Sequence, residues 1–154
     1  MFVIYQGVNS YSEGQHVCNV VLASGTAVQL ETATGNTLVA ATGTPMGFLQ
    51  KSITSDGPSD FEREHIPGVD AFEAVTGSYV PVIGFSNGII LTDVVAAGIS
   101  GATISDGLLK LASGLWDKSA SGDVVCGKLL ATDAEDTTGL YKIQLLTGGT
   151  IEGE

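Results

Sequence analysis

The chain has 154 residues and a mass of 15.7 kDa, enough for one domain with its own core or for two small lobes sharing one. Hydrophobic residues make up 44% and charged residues 15%, a balance that excludes a disordered chain, and polar residues interrupt every apolar run well short of the ~18 residues of a membrane helix. Six Lys and Arg against seventeen Asp and Glu leave a net charge of -11, which repels phosphate backbones and excludes a nucleic-acid partner.

Taken in chain order, the predicted elements are strands. Short runs rich in Val, Ile, Leu and Thr alternate with Gly, Ser and Asn punctuation, and the pattern predicts strands at 2–5, 16–22, 27–31, 37–41 and 46–52. The first of these, Phe2-Val3-Ile4-Tyr5, follows Met1 without the basic start and longer apolar run of a secretory signal. That predicts synthesis in a reducing cytoplasm. Cys18 and Cys126 each sit in an apolar run with no second Cys or His at metal spacing, and read as small buried hydrophobes. The sequence leaves open whether they pair.

The stretch 55–77 is polar. It holds Pro58, Pro67, Arg63, His65 and a set of carboxylates from Asp56 to Glu73. Asp70-Ala71-Phe72-Glu73 and Ser59-Asp60-Phe61-Glu62 each place a capping side chain three residues before a Glu, which predicts one or two short helical turns. Beyond it, strands are predicted at 79–85, 88–94, 108–111, 124–131 and 139–146. In the last, Tyr141, Ile143 and Leu145 share one face and Leu140, Lys142 and Gln144 the other, the mark of a half-buried antiparallel strand.

The two flanks of the polar stretch resemble each other. Val28-Gln29-Leu30 corresponds to Leu109-Lys110-Leu111, Gly35 to Gly114, Gly43 to Gly122, and Gly47-Phe48-Leu49 to Gly127-Lys128-Leu129, at a spacing of about 80 residues. The fold class is therefore all-β: a small antiparallel β-barrel or β-sandwich, β-tulip-like, with at most one or two short helices, and the correspondence leaves open whether the chain carries an internal duplication. It reads either as one β domain over 1–154 or as two lobes, 1–54 and 78–154, joined by the connector 55–77.

No arrangement of residues calls for catalysis, and the chain is not expected to be an enzyme. Gly84-Phe85-Ser86-Asn87-Gly88 fits a nucleophile elbow, but that chemistry needs an acid and a histidine later in the chain, and the only histidines, His16 and His65, precede it. Asn87-Gly88 reads instead as a hairpin turn. His65 among Glu62, Glu64 and Asp70 lacks a second histidine. The Asp133, Glu135, Asp136 cluster lacks the spacing and closing Glu of a calcium loop, so it reads as a turn. Asp136-Thr137-Thr138-Gly139 departs from an aspartic-protease motif by one inserted residue. Neither a metal nor a cofactor is expected. Trp116, the one tryptophan, sits in a turn-like run and reads as a recognition aromatic or as a plug over the end of a barrel.

So little charge on so small a chain leaves apolar surface for association, which predicts a homo-oligomer. The candidate interface residues are Phe2, Ile4 and Tyr5, as a strand added to a neighbour's sheet edge or as the first strand of the protomer itself, together with Trp116.

The run from Gly25-Thr26-Ala27-Val28-Gln29-Leu30 through Gly35-Asn36-Thr37-Leu38-Val39-Ala40-Ala41-Thr42-Gly43 to Gly47-Phe48-Leu49, echoed from Gly107 to Leu129 and closed by an acidic turn and an aliphatic strand over Asp133 to Leu146, resembles the head-decoration (cement) proteins of tailed bacteriophages. The likeness is one of cadence and covers about two-thirds of the chain. It implies a β-tulip-like protein, commonly a homotrimer, a viral structural protein of the virion that binds the lattice of the major capsid protein on the outer surface of the mature head. It implies no catalytic residues. Two rivals fit less well: a carbohydrate-binding or adhesive β-module, which needs clustered exposed aromatics, and a small trimeric β-barrel hydrolase, which needs a basic phosphate grip.

Overall fold

The computed structural model describes residues 2–6, 10–55, 73–85, 88–104, 107–131 and 140–151. It is nearly all β, as the alternating patterns predict, with one 3-10 turn at Ala97–Gly101. The strands are β1 (Phe2–Gln6), β2 (Ser10–Cys18), β3 (Ala27–Leu30), β4 (Thr37–Ala40), β5 (Gly47–Leu49), β6 (Ser52–Thr54), β7 (Glu73–Val75), β8 (Tyr79–Phe85), β9 (Gly88–Thr92), β10 (Leu108–Ala112), β11 (Leu115–Lys118), β12 (Val124–Ala131) and β13 (Tyr141–Ile151). Strands β2-β4-β3-β5-β8 close a barrel, β1-β9-β13-β12-β10-β11 form a six-stranded sheet, and β6 and β7 pair in parallel.

The barrel and the sheet are two copies of one unit. In the barrel the chain order β2, β3, β4, β5, β8 maps onto the ring order β2-β4-β3-β5-β8. In the sheet the order β9, β10, β11, β12, β13 gives β9-β13-β12-β10-β11, which is the same ring opened between its first and third strands. The registers agree residue by residue. Val28 stands opposite Gly47, as Leu109 stands opposite Gly127. Leu49 stands opposite Val82, as Leu129 stands opposite Ile143. Cys18 pairs in parallel with Leu38 to close the barrel, and the second unit reproduces that seam with a single parallel bridge, Val95 to Trp116.

Equivalent positions also fill equivalent interiors. Val28, Leu38, Leu49 and Val82 are buried in the first unit, and Leu109, Trp116, Leu129 and Ile143 in the second. Because side chains alternate across a strand, the neighbours of the first set point the other way. Ala27 and Phe48 face out of the barrel and join the second unit's core, with Phe48 stacked on Trp116 at 6.3 Å between ring centroids and 24° between planes. The outer wall of the first unit thus covers the open interior of the second. The backbone locks the joint: Ala27 N–H donates to Gly114 O at 3.0 Å, and Gly114 N–H to Ala41 O at 2.7 Å.

The β10–β11 hairpin turns at Ser113 and Gly114, whose φ angles are 50° and 79°. Two positive φ values in a two-residue loop match the right-handed twist of the flanking strands. Leu115-Trp116-Asp117-Lys118 therefore forms a strand rather than the turn expected around Trp116.

Other expectations change. The segment at Asn87 does not join a hairpin, because β8 pairs with β2 and β5 while β9 pairs with β1 and β13. The register runs on across it instead: Ser12 opposite Ile83 and Ser10 opposite Phe85, then Gln6 opposite Ile89 and Phe2 opposite Thr92. Residues 86 and 87 themselves lie outside the described residues. The predicted strand 16–22 is in fact β2, which starts at Ser10 and ends at Cys18. The run 46–52 is divided between β5 and β6. Glu73, expected in a helical first turn, begins β7; the expected turn at 59–62 falls outside the described residues. Sheet membership does not follow the division into 1–54 and 78–154, since β1 lies with the later strands and β8 with the earlier ones. The repeat units are instead 10–85 and 88–151, and β6 and β7 are an insertion between the fourth and fifth strands of the first.

Candidate assembly surface

The residues proposed for association separate. Phe2, Ile4 and Tyr5 lie on β1, which pairs antiparallel with the chain's own β9, so they belong to the protomer's first strand; their side chains fall outside the described residues. Trp116 presents no surface. It is 1% exposed, takes in the second unit the place that Leu38 holds in the first, and its Nε1–H has no hydrogen-bond partner among the described residues. Its sequence neighbours Gly114 and Asp117 suggested a loop, whereas the cross-strand pair Leu111 and Trp116 fixes it on the inner face of β11.

An apolar surface does exist, at one end of the barrel. β2 leaves the sheet after Cys18, whose N–H donates to Ser78 O at 3.2 Å and whose carbonyl accepts from Gly77 N–H at 2.8 Å. The chain then exposes Val20 and Val21, 41% and 59% accessible, beside a ladder on which Tyr79, opposite Val17, is 67% accessible. Val80 and Val82 alternate inward and are buried, so Tyr79 is held outward by the pleat. Leu22 turns back inward, exchanging hydrogen bonds with Ile53 at 3.1 and 2.7 Å, which ties this loop to the inserted β6. The sequence pattern missed the surface because Val20 and Val21 read as strand interior.

The two thiols are inert. Both cysteines are free and buried. The Cys18 Sγ–H lies 3.5 Å from Val20 O and 3.7 Å from Leu38 O, and that of Cys126 3.4 Å from Gly43 O across the joint. Burial pushes both thiols above their ordinary value, with a Val20 backbone hydrogen bond acting in the opposite direction on Cys18, so neither is a ready nucleophile.

The clearest charged pair is structural. Lys110 Nζ on β10 meets Asp123 Oδ2 at 2.9 Å, and Asp123 also accepts from Ala120 N–H at 2.8 Å. The Lys110 hydrogen bond, then the Ala120 one, hold the Asp123 carboxyl below its usual range, and Asp123 raises Lys110 in turn.

His16 lies on β2 opposite Val80. Ser86, His65, Glu62, Glu64, Asp70 and the Asp133–Asp136 acids lie outside the described residues. Among the described residues no three His, Cys, Asp or Glu side chains gather as a metal site, and no helix is long and apolar enough to cross a membrane. No family model, curated protein or solved structure matches the chain.

Proposed function

We propose that the chain is a structural protein that decorates the head of a tailed bacteriophage, binding the outer surface of the mature shell as a homo-oligomer. The observation that carries this reading is the exposure of Val20, Val21 and Tyr79, large apolar side chains left in water on a chain of net charge -11. Apolar area left exposed on a small domain marks a partner-binding face. The barrel and the six-stranded sheet are joined through a stacked aromatic pair and direct backbone hydrogen bonds, an arrangement suited to holding lattice subunits at fixed spacing.

The mechanism is mass action. A protein that binds only the expanded shell stabilises that state by the free energy of its contacts, and repeated weak contacts from an oligomer add through effective concentration. The three-fold form is the one the resemblance to decoration proteins implies. The direct experiment mixes purified protein with emptied, expanded capsids and with unexpanded ones, then sediments both. Binding to the expanded form alone supports the proposal. Failure to bind either, together with retention on a glycan array, favours the adhesive reading, for which the exposed Tyr79 ring is the relevant observation.

A further inference from the structure

The two units hold themselves together differently. The buried cluster inside the barrel runs from Cys18 to Val82, so the first unit encloses an interior of its own. The second core is shared: Ala27, Ala41 and Phe48 of the first unit stand in it beside Leu109, Trp116, Leu129 and Ile143. The rings are closed unequally as well. Two consecutive parallel pairs, Val17 with Thr37 and Cys18 with Leu38, close the barrel. In the second unit the bridge from Val95 to Trp116 takes their place, with Trp116 N–H donating to Val94 O at 3.3 Å and Ala96 N–H donating to Trp116 O at 2.8 Å.

The hairpin tips differ in the same sense. The first unit's turn, residues 32–36, is exposed, and a Cβ on Gly35 would meet nothing within 4 Å. The second unit's tip is seated in the first unit. The Gly114 carbonyl accepts from Ala27 N–H and its N–H donates to Ala41 O, and a Cβ on Gly114 would lie against Thr26 Cγ2 and 2.7 Å from the Ala27 carbonyl oxygen. Behind the tip, Trp116 stacks on Phe48. Its buried Nε1–H has no partner among the described residues, so water admitted to the ring recovers a hydrogen bond.

We infer that the Ser113–Gly114 tip is a clasp: when it leaves the first unit, the second unit opens along the Val95–Trp116 seam while the barrel stays folded, uncovering the apolar wall of Ala27, Phe48 and Ile83. Opening free energies differ between the parts of one protein, and here the difference follows from the construction. Release of the tip takes the cover off the second core and takes nothing from the barrel's own cluster. The opened form is a minor state of the native chain, so labelling rates read it where an equilibrium unfolding curve does not. The device stands independently of what the chain binds.

The two cysteines report the two events. Cys18 belongs to the barrel cluster. Cys126 belongs to the shared core, its Sγ 3.4 Å from Gly43 O of the first unit. A thiol reagent is applied to the native full chain, labelling at each cysteine is followed by peptide mass spectrometry, and each rate is divided by that of the same cysteine in the urea-unfolded chain. Cys126 is expected to label at least about tenfold faster than Cys18 on this scale. Gly114→Ala is expected to speed Cys126 at least about fivefold further and to leave Cys18 within about twofold. Should Gly114→Ala fail to fold, Phe48→Leu, which removes the ring stack from the outer face of the barrel, is expected to act in the same way. Equal rates at the two cysteines, or Cys18 labelling first, overturn the inference, as does a folded variant that speeds both alike or neither.

Discussion

A Cβ on Gly127 would lie 2.7 Å from Cζ3 of Trp116, so the ring of the one tryptophan rests directly on the backbone of β12. The equivalent glycine of the first unit is equally confined, with a Cβ on Gly47 lying 2.6 Å from the Ile83 carbonyl oxygen and 2.7 Å from Cγ1 of Val82. The repeated Gly-x-Leu of the sequence thus has a physical cause: each unit passes a strand beneath a neighbour too close for a side chain.

Gly127→Ala and Gly47→Ala are accordingly expected to destabilise the protein by about 1–3 kcal/mol each through overpacking. Gly43, where an added Cβ meets nothing within 4 Å, is the control, and Gly43→Ala is expected to stay within about 0.5 kcal/mol. Urea denaturation midpoints at constant slope check all three.

Trp116 reports on the second unit. Its burial and its stack on Phe48 predict blue-shifted fluorescence that moves red on unfolding. Trp116→Ala is expected to cost about 3–5 kcal/mol. Trp116→Phe keeps most of the ring volume and removes a buried N–H that has no partner among the described residues, whose desolvation costs about 1–3 kcal/mol, so it is expected to cost far less. Thermal melts of the two variants distinguish these outcomes.

Alkaline pH acts through the thiols. Both have folded-state pKa values raised from the ordinary 9.0 by burial. Below 9.0 they are protonated in both states, and their contribution is fully present. As pH rises further the unfolded chain ionises first, and stability falls. A Cys18→Ala/Cys126→Ala chain is expected to show a shallower loss between pH 9 and 10 in urea titrations. The native thiols are expected to react slowly with a thiol reagent until the chain is denatured.

Acid acts through Asp123, whose folded pKa is lowered from 3.8 by Lys110 and the Ala120 amide. Its contribution is present above that value and is lost as pH falls through the lower folded one. The stability difference between the native chain and Asp123→Asn is therefore expected to close below pH 3.8, measured by denaturation in dilute solution.

Much of the fold is legible in the residue pattern. The alternation in Tyr141, Ile143 and Leu145 marks the inner face of β13, and the Gly-x-Leu pairs fall at equivalent positions of the two units. What the pattern hides is set by pairing at a distance. Ser10–Gln15 is too polar to read as a strand, and it becomes one because β8 lies beside it. Asn87-Gly88 has hairpin chemistry, yet the strands on either side continue along one partner run. Trp116 reads as surface because its short strand is bounded by Gly114 and Asp117. The low charge of the chain has a partly internal explanation: Ala27, Phe48 and the half-buried Ile83 form an apolar outer wall that the second unit covers. Val20 and Val21 went unseen as exposed residues because a valine pair after a buried cysteine looks like more strand.

The decisive test of the proposed role compares native protein with Val21→Glu and Tyr79→Glu in sedimentation with expanded capsids. Both positions are exposed, so the fold is expected to survive. The account predicts saturable binding of the native chain at a fixed number of copies per shell, and at least about tenfold weaker binding of each variant. Native protein left in the supernatant, or variants that bind as tightly as the native chain, would contradict it.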